Sequence, residues 1–287
     1  MLQDKPTIAE LLRLASRLEA VSDSPRLDVE VLLCHVLDKP RSYLFTWPEK
    51  ILDQKTAQYF NDLLQRRADG EPIAYLTGQK EFWSLSLEVN TTTLIPRPDT
   101  ELLVETALQA MAKSDAQVLD LGTGTGAIAL ALASERQQWQ IMAVDLVPEA
   151  VALAEKNRQR LSLDNVRVLR SHWFKDIAPQ KFDLIVTNPP YIDADDHHLS
   201  EGDVRFEPSS ALVSAHHGLA DIEIIIAGAK PYLRTGGFLL IEHGYQQAGA
   251  VRTLLQNEGF VSVSTERDIA GLERVSTGCF QRSPQPL

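Results

Sequence analysis

From Ile8 onward, apolar positions fall three and four residues apart. Ile8, Leu11, Leu12, Ala15 and Leu18 share one face of a helix that the capping-box pair Thr7 and Glu10 opens. Ser24 and Pro25 open a second helix with Leu27, Val31, Leu32 and Val36 on one face, closed by Pro40. A third is expected over residues 53–69, with Gly70 as its stop. The period then changes. Phe82, Trp83, Leu85, Leu87 and Val89 are mostly two apart, which predicts a strand or hairpin. Residues 1–75 thus read as a small helical domain and 76–95 as a linker containing a β-hairpin.

Over residues 96–283 strand and helix patterns alternate. Strands are predicted at 118–121, 141–145, 166–169, 182–187 and 238–242, with helices from Ala127, from Pro148 and over 219–233. Such alternation predicts an α/β domain built on a doubly wound, mostly parallel sheet. Ligands of such sheets sit outside the carboxyl ends of the strands, so the residues that follow each strand carry the functional question. Residues 283–287 read as a loose tail.

Composition narrows the class. In 287 residues, 44% apolar content supports a large core and argues against disorder. No run reaches the ~18 apolar residues of a membrane span. Charges at Lys5, Glu10, Arg13, Arg17, Glu19 and Asp23 break up any signal-peptide core. A cytoplasmic protein without a membrane association is expected. Cys34 and Cys279 stand far apart with no Cys-x-x-Cys spacing, so neither zinc nor redox chemistry is indicated. The net charge of −11 is shared: fourteen acidic against eleven basic side chains in residues 1–90, twenty-five against seventeen thereafter. Gripping a nucleic acid needs an excess of Lys and Arg, so no direct nucleic-acid binding is expected.

Three constellations carry chemistry. The first is Asp120-Leu121-Gly122-Thr123-Gly124-Thr125-Gly126, between a predicted strand and a helix. Glycines let a ligand approach the backbone, and a helix start offers free N–H groups. Alone it could be a tight turn, and its spacing departs from the Gly-x-Gly-x-x-Gly of dinucleotide binders. The second is Asp145, nineteen residues after Gly126 at the end of the next strand. A lone acid there is more often a helix cap, and Pro148 fits that reading. Beside a glycine turn it suits the two hydroxyls of a ribose.

The third is Asn188-Pro189-Pro190-Tyr191, directly after the strand at 182–187. Two prolines stiffen the turn and remove donors, leaving the Asn188 and Pro189 carbonyls to accept hydrogen bonds. With the Asn188 side-chain oxygen they suit a planar amino group, an amide or an exocyclic amine, on whose face Tyr191 can pack. A structural proline turn is the bland alternative.

Together these three features resemble the class I methyltransferases that act on planar nitrogens. The likeness runs on through Gly-Glu-Pro-Ile-Ala-Tyr-Leu-Thr-Gly at 70–78, Glu81-Phe82-Trp83, Leu-Ile-Pro-Arg-Pro-Asp-Thr-Glu at 94–101 and Gly-Asp-Val-Arg-Phe-Glu-Pro at 202–208. These segments are similar to the release-factor glutamine N5-methyltransferase family (PrmC/HemK). The resemblance implies a Rossmann-like class I methyltransferase sheet and S-adenosylmethionine as methyl donor, leaving as S-adenosylhomocysteine, with no metal. It implies that Gly122, Thr123, Gly124, Thr125 and Gly126 face the methionine end of the donor, that Asp145 holds its ribose and that Trp173 packs beside its adenine. Asn188, Pro189, Pro190 and Tyr191 would form the catalytic cradle, Asn188 also lying next to the donor. The implied substrate is the glutamine of a Gly-Gly-Gln loop in class 1 peptide chain release factors, received in part by the helical domain and Arg97. By itself Trp173 reads more readily as core, and the pairs His197-His198 and His216-His217 as solvated loop.

An adenine amine would fit the same cradle after base flipping, but the net acidity opposes an adenine-N6 methyltransferase. A non-catalytic nucleotide-binding sheet has no use for Asn-Pro-Pro-Tyr, and the glycine spacing opposes a nicotinamide dehydrogenase.

Overall fold

The computed structural model describes residues 5–281; the tail at 283–287 lies outside the described residues. The chain divides into two compact units, one running to Gln79 and including His197–Phe206, the other holding Lys80–Asp196 and the residues from Glu207 onward. Among the described residues, no helix is long and apolar enough to cross a membrane.

In the helical unit, α1 (Ile8–Leu12) opens with the capping box: Thr7 Oγ1 accepts from Glu10 N–H, and Glu10 Oε2 accepts from Thr7 N–H at 2.8 Å. The expected single helix tightens to 3₁₀ winding at Arg13–Leu18, which still brings Leu18 into the core. Helix α2 (Pro25–Leu37) ends where Asp38 turns left-handed, at φ 50°. Its buried residues are Asp28, Val29, Glu30, Leu32 and Leu33, while Leu27 is exposed, so the face predicted from Leu27 and Val31 is rotated. The reason is ionic. Asp28 turns inward to accept from the buried Arg67 guanidinium at 2.7 Å, which apolar periodicity cannot reveal. The unit continues through α3 (Arg41–Thr46), α4 (Gln54–Ala68), capped by Asp53, and α5 (Ile73–Thr77). Arg67 also pairs with Asp203 at 3.2 Å, and Arg205 donates to the Asp69 carbonyl. These contacts place 197–206 with the helices, although the segment falls within the stretch 96–283 expected to be a single α/β domain.

The second unit begins within the hairpin of β1 (Gln79–Phe82) and β2 (Leu85–Glu88), turned at Trp83 and Ser84, both at positive φ, the signature of a primed two-residue turn. A 3₁₀ turn and α6 (Glu101–Ala110) lead into the sheet. Its elements are β3 (Gln117–Leu121), α7 (Ala127–Glu135), β4 (Gln140–Asp145), α8 (Pro148–Leu161), β5 (Val166–Arg170) and β6 (Phe182–Thr187). After several 3₁₀ turns come α9 (Ala215–Gly218), α10 (Ala220–Ala229), β7 (Leu233–Glu242), α11 (Ala248–Asn257), β8 (Phe260–Arg267) and β9 (Glu273–Phe280).

Among the described residues the seven strands lie in the order β5-β4-β3-β6-β7-β9-β8. The first five are parallel, as the alternation predicts, and β9 runs antiparallel to β7 and β8. Alternate residues of β3 enter different cores: Val118 joins Leu184, Val186 and α7, while Leu119 and Leu121 join Ile185, Ile241 and α10. Burial on both faces explains why β3 and β6 are apolar at most positions, with Asp120 and Asp183 as buried exceptions. Sequence periodicity missed α11 and the β8–β9 hairpin; edge strand β8 buries little besides Phe260 and so carries little pattern. Chain order reverses between β3 and β6, and a crevice opens there at the strand ends.

Candidate active site

Three loops converge on that crevice. After β3 the chain turns through Gly122, Gly124 and Gly126 at φ +73°, +56° and +87°, angles that L side chains resist. Gly122 and Thr123 N–H both donate to the Val144 carbonyl at 2.9 Å. Gly126 lies buried against α7, where a Cβ would come within 2.9 Å of Leu130. Beneath the turn, Asp120 is fully buried. Burial pushes its carboxyl up to about 7, although Thr123 Oγ1 donates to it at 2.6 Å.

Asp145, ending β4, accepts from Gly124 N–H at 2.9 Å through Oδ2 and from Val147 N–H at 3.0 Å through Oδ1. Burial raises its pKa, and these backbone donors oppose the rise. Asp145 does not cap α8, whose cap position is Val147 with no side-chain bond, but its bond to Val147 N–H shapes the entry to that helix. Each oxygen keeps a lone pair for a ligand hydroxyl. Buried Asn157 on α8 donates to the Thr125 carbonyl at 2.9 Å and the Glu88 carbonyl at 3.0 Å, and accepts from Glu88 N–H at 2.7 Å.

A cavity of about 200 Å³ is lined by Gly122, Thr123, Gly124, Thr125, Asp145 and Trp173 from these loops, and by Asn188, Pro190 and Thr100 opposite. Trp173, at φ 50°, lies against Gly122, where a Cβ would stand 3.3 Å from its ring; its Nε1 is buried with no partner among the described residues.

The Asn-Pro-Pro-Tyr turn follows β6, register neighbour of β3 with Thr187 opposite Leu121. Asn188 Nδ2 donates to Thr100 Oγ1 at 3.1 Å. Pro189 is buried, and the half-buried Tyr191 ring packs against the core beside α10, a setting that raises its phenol pKa. Asn188 and Pro190 thus reach the cavity; Pro189 and Tyr191 are not among its lining residues. The turn is anchored from outside: Gln247 Nε2 donates to the Tyr191 carbonyl at 3.0 Å, and Gly218 passes so close that a Cβ would stand 2.0 Å from that oxygen.

Two site residues escaped the sequence reading. Thr100 is one; Glu242, buried at the end of β7, is the other. Burial pushes its carboxyl up to about 7, opposed by the neighbouring polar side chains of Thr100 and Asn188 and by nearby Arg274. An acid ending the strand beside β6 was the available signal. Arg97 donates to buried Glu207 at 2.6 Å, joining two segments singled out in the sequence. His216 and His217 form exposed pairs with Glu223 and Asp193, at 3.1 and 2.7 Å.

Comparison with known proteins agrees with this architecture. Residues 10–78 match the model of the PrmC N-terminal domain, and residues 98–204 that of the methyltransferase small domain. The chain is 60% identical over 257 residues to the release factor glutamine methyltransferase of Pseudomonas aeruginosa, covering 90% of this chain and 93% of the relative. It is 53% identical to the enzyme of the same name from Shewanella oneidensis, with 96% of each covered. A methyltransferase from Pyrococcus furiosus, 18% identical, shares the fold with a TM-score of 0.55 over 77% of this chain and all of that one.

Proposed function

The chain belongs to the release factor glutamine methyltransferase family, and from that premise we propose that it methylates the N5 amide nitrogen of the glutamine in the Gly-Gly-Gln loop of class 1 release factors. The methyl donor is S-adenosylmethionine. The observation that carries the finer reading is the placement of Asn188, which enters the same cavity as the glycine turn and Asp145 from the neighbouring strand end.

The residues fit the donor. Gly122 and Gly124 leave a side-chain-free wall, the Asp145 carboxylate can accept from ribose hydroxyls, and the buried Trp173 Nε1 lacks an acceptor that a ligand can supply. When bound, S-adenosylmethionine presents a methyl group on a sulfonium whose departure is already activated. The chain's task is placement. An amide nitrogen is a poor nucleophile because its lone pair is delocalised, so orientation and fixed acceptors must supply the acceleration. The Asn188 side-chain oxygen and a carbonyl of the Asn188-Pro189 segment accept the two amide N–H bonds, favouring the positive charge that develops on nitrogen. Pro189 and Pro190 hold these acceptors still, and Tyr191 fixes the turn by its packing.

Partner recognition falls to the helical unit, with the substrate's place in translation locating the reaction in the cytoplasm. Phe45, Trp47 and Ile51, each more than half exposed within a short span at and beyond the end of α3, support this role. Trp47→Ala should raise KM for the release factor about fivefold or more while leaving donor affinity unchanged. The deciding experiment incubates the protein with labelled S-adenosylmethionine and separate pools of release factor, DNA and RNA, then maps the label by mass spectrometry. Label on the Gly-Gly-Gln glutamine is expected; label entering nucleic acid instead would overturn the reading.

A further inference from the structure

Glu242 is buried and titratable, and none of the roles above uses it. It ends β7, next to the strand that carries Asn188. Its Oε2 is buried with no hydrogen-bond partner among the described residues, a costly state that functional sites tolerate and ordinary cores avoid. Thr100 and Asn188 adjoin the carboxyl, Asn188 following Thr187 as Glu242 follows its register partner Ile241, and Arg274 offsets part of its charge. Asn188 Nδ2 donates in turn to Thr100 Oγ1 at 3.1 Å. Thr100 occupies the cap position of α6, yet its hydroxyl makes no cap bond and remains available to this network.

The donor and acceptor inventory fixes the direction of the asparagine amide. The bond from Asn188 Nδ2 to Thr100 Oγ1 turns the NH2 end toward Thr100 and Glu242, and once ionised the carboxylate can only accept and holds that end there. The amide Oδ1 is then left for the cavity that Asn188 lines. Without that constraint the two ends of the amide are nearly equal in shape, and a flipped Asn188 would offer a donor to a substrate group that is itself a donor.

Resting on the assignment of Asn188 as the acceptor, we propose that Glu242 is a positioning residue which, with Thr100, locks the Asn188 amide with its oxygen toward the target nitrogen. Glu242 is absent from the cavity lining and acts only through its two neighbours.

The test compares Glu242→Gln, Thr100→Val, their combination and Thr100→Ser by steady-state kinetics on a release factor, with donor affinity from calorimetry and thermal midpoints alongside. Glu242→Gln keeps the shape but can present its own NH2 group, permitting the flip. Each of the first two should lower kcat about tenfold. KM for the protein and donor affinity should stay within about twofold. The double variant should be no worse than the poorer single one, and Thr100→Ser should keep parental turnover. Unchanged kcat in Glu242→Gln, losses that multiply in the double variant, or a kcat loss tracked by donor affinity or melting would overturn the proposal. Asn188→Ala separates the two ideas: if it is crippled while Glu242→Gln is normal, only the positioning role falls. If it is itself normal, the acceptor assignment falls and takes the positioning role with it.

Discussion

Two turns leave adjacent strand ends of one sheet, and they are built from opposite materials. The turn after β3 uses three glycines at positive φ, so its backbone can meet a ligand directly. The turn after β6 uses two prolines and is wedged between Gln247 and Gly218, so it can hardly move at all. Each has a buried acid behind it, Asp120 under the glycines and Glu242 behind Asn188. The difference teaches a division of labour: the donor molecule is met by a backbone stripped of side chains, while the reacting amide is met by acceptors that have lost their freedom.

Asn188→Ala should break the comparison hardest. Turnover is expected to fall on the order of 10²-fold, about 2.7 kcal/mol of transition-state stabilisation, with donor affinity nearly unchanged. Near-normal turnover in a folded, donor-binding variant would reduce the proline turn to structure. Asp145→Ala should do the reverse, weakening donor binding by about 1.5–3 kcal/mol in calorimetry. Unchanged affinity would remove Asp145 from the ribose role.

Gly124→Ala sharpens the contrast, because its added Cβ meets nothing closer than Thr93 at 3.9 Å and only backbone strain remains. Loss of about 1–2 kcal/mol in stability or donor affinity is expected, with the proline turn unaffected. Full parental behaviour would mean that positive φ is not needed there.

A further effect is on pH. Asp120 and Glu242 both hold their protons up to about 7 in the folded chain. The unfolded chain releases them in the ordinary carboxylate range, so stability should fall as pH rises from there toward 7. Denaturation across that window should show the decline, and Asp120→Asn or Glu242→Gln should each flatten it. A wild-type curve already flat would mean that these acids ionise freely in place.

What was legible in the sequence follows from how local each signal is. The glycine turn, Asp145 and Asn188 announce themselves within a few residues of a buried strand, and the parallel sheet shows through strands and helices that alternate along the chain. Thr100 and Glu242 do not. Their meaning depends on residues far along the chain, and a single acid closing an apolar strand looks like any strand end. The rotated face of α2 has the same origin, since Asp28 faces inward only because Arg67 meets it from α4. Edge strand β8 failed for a different reason: with little to bury, it carries little hydrophobic pattern.

Asn157 joins the hairpin to the glycine turn, its single amide holding both Glu88 backbone groups and the Thr125 carbonyl. A mechanical consequence follows. The Glu88 amide proton can escape to solvent only when this clamp opens, and whatever steadies the turn also steadies the clamp. The lifetime of that one proton is therefore a remote gauge of the donor loop, read without a label on the donor and without waiting for the reaction.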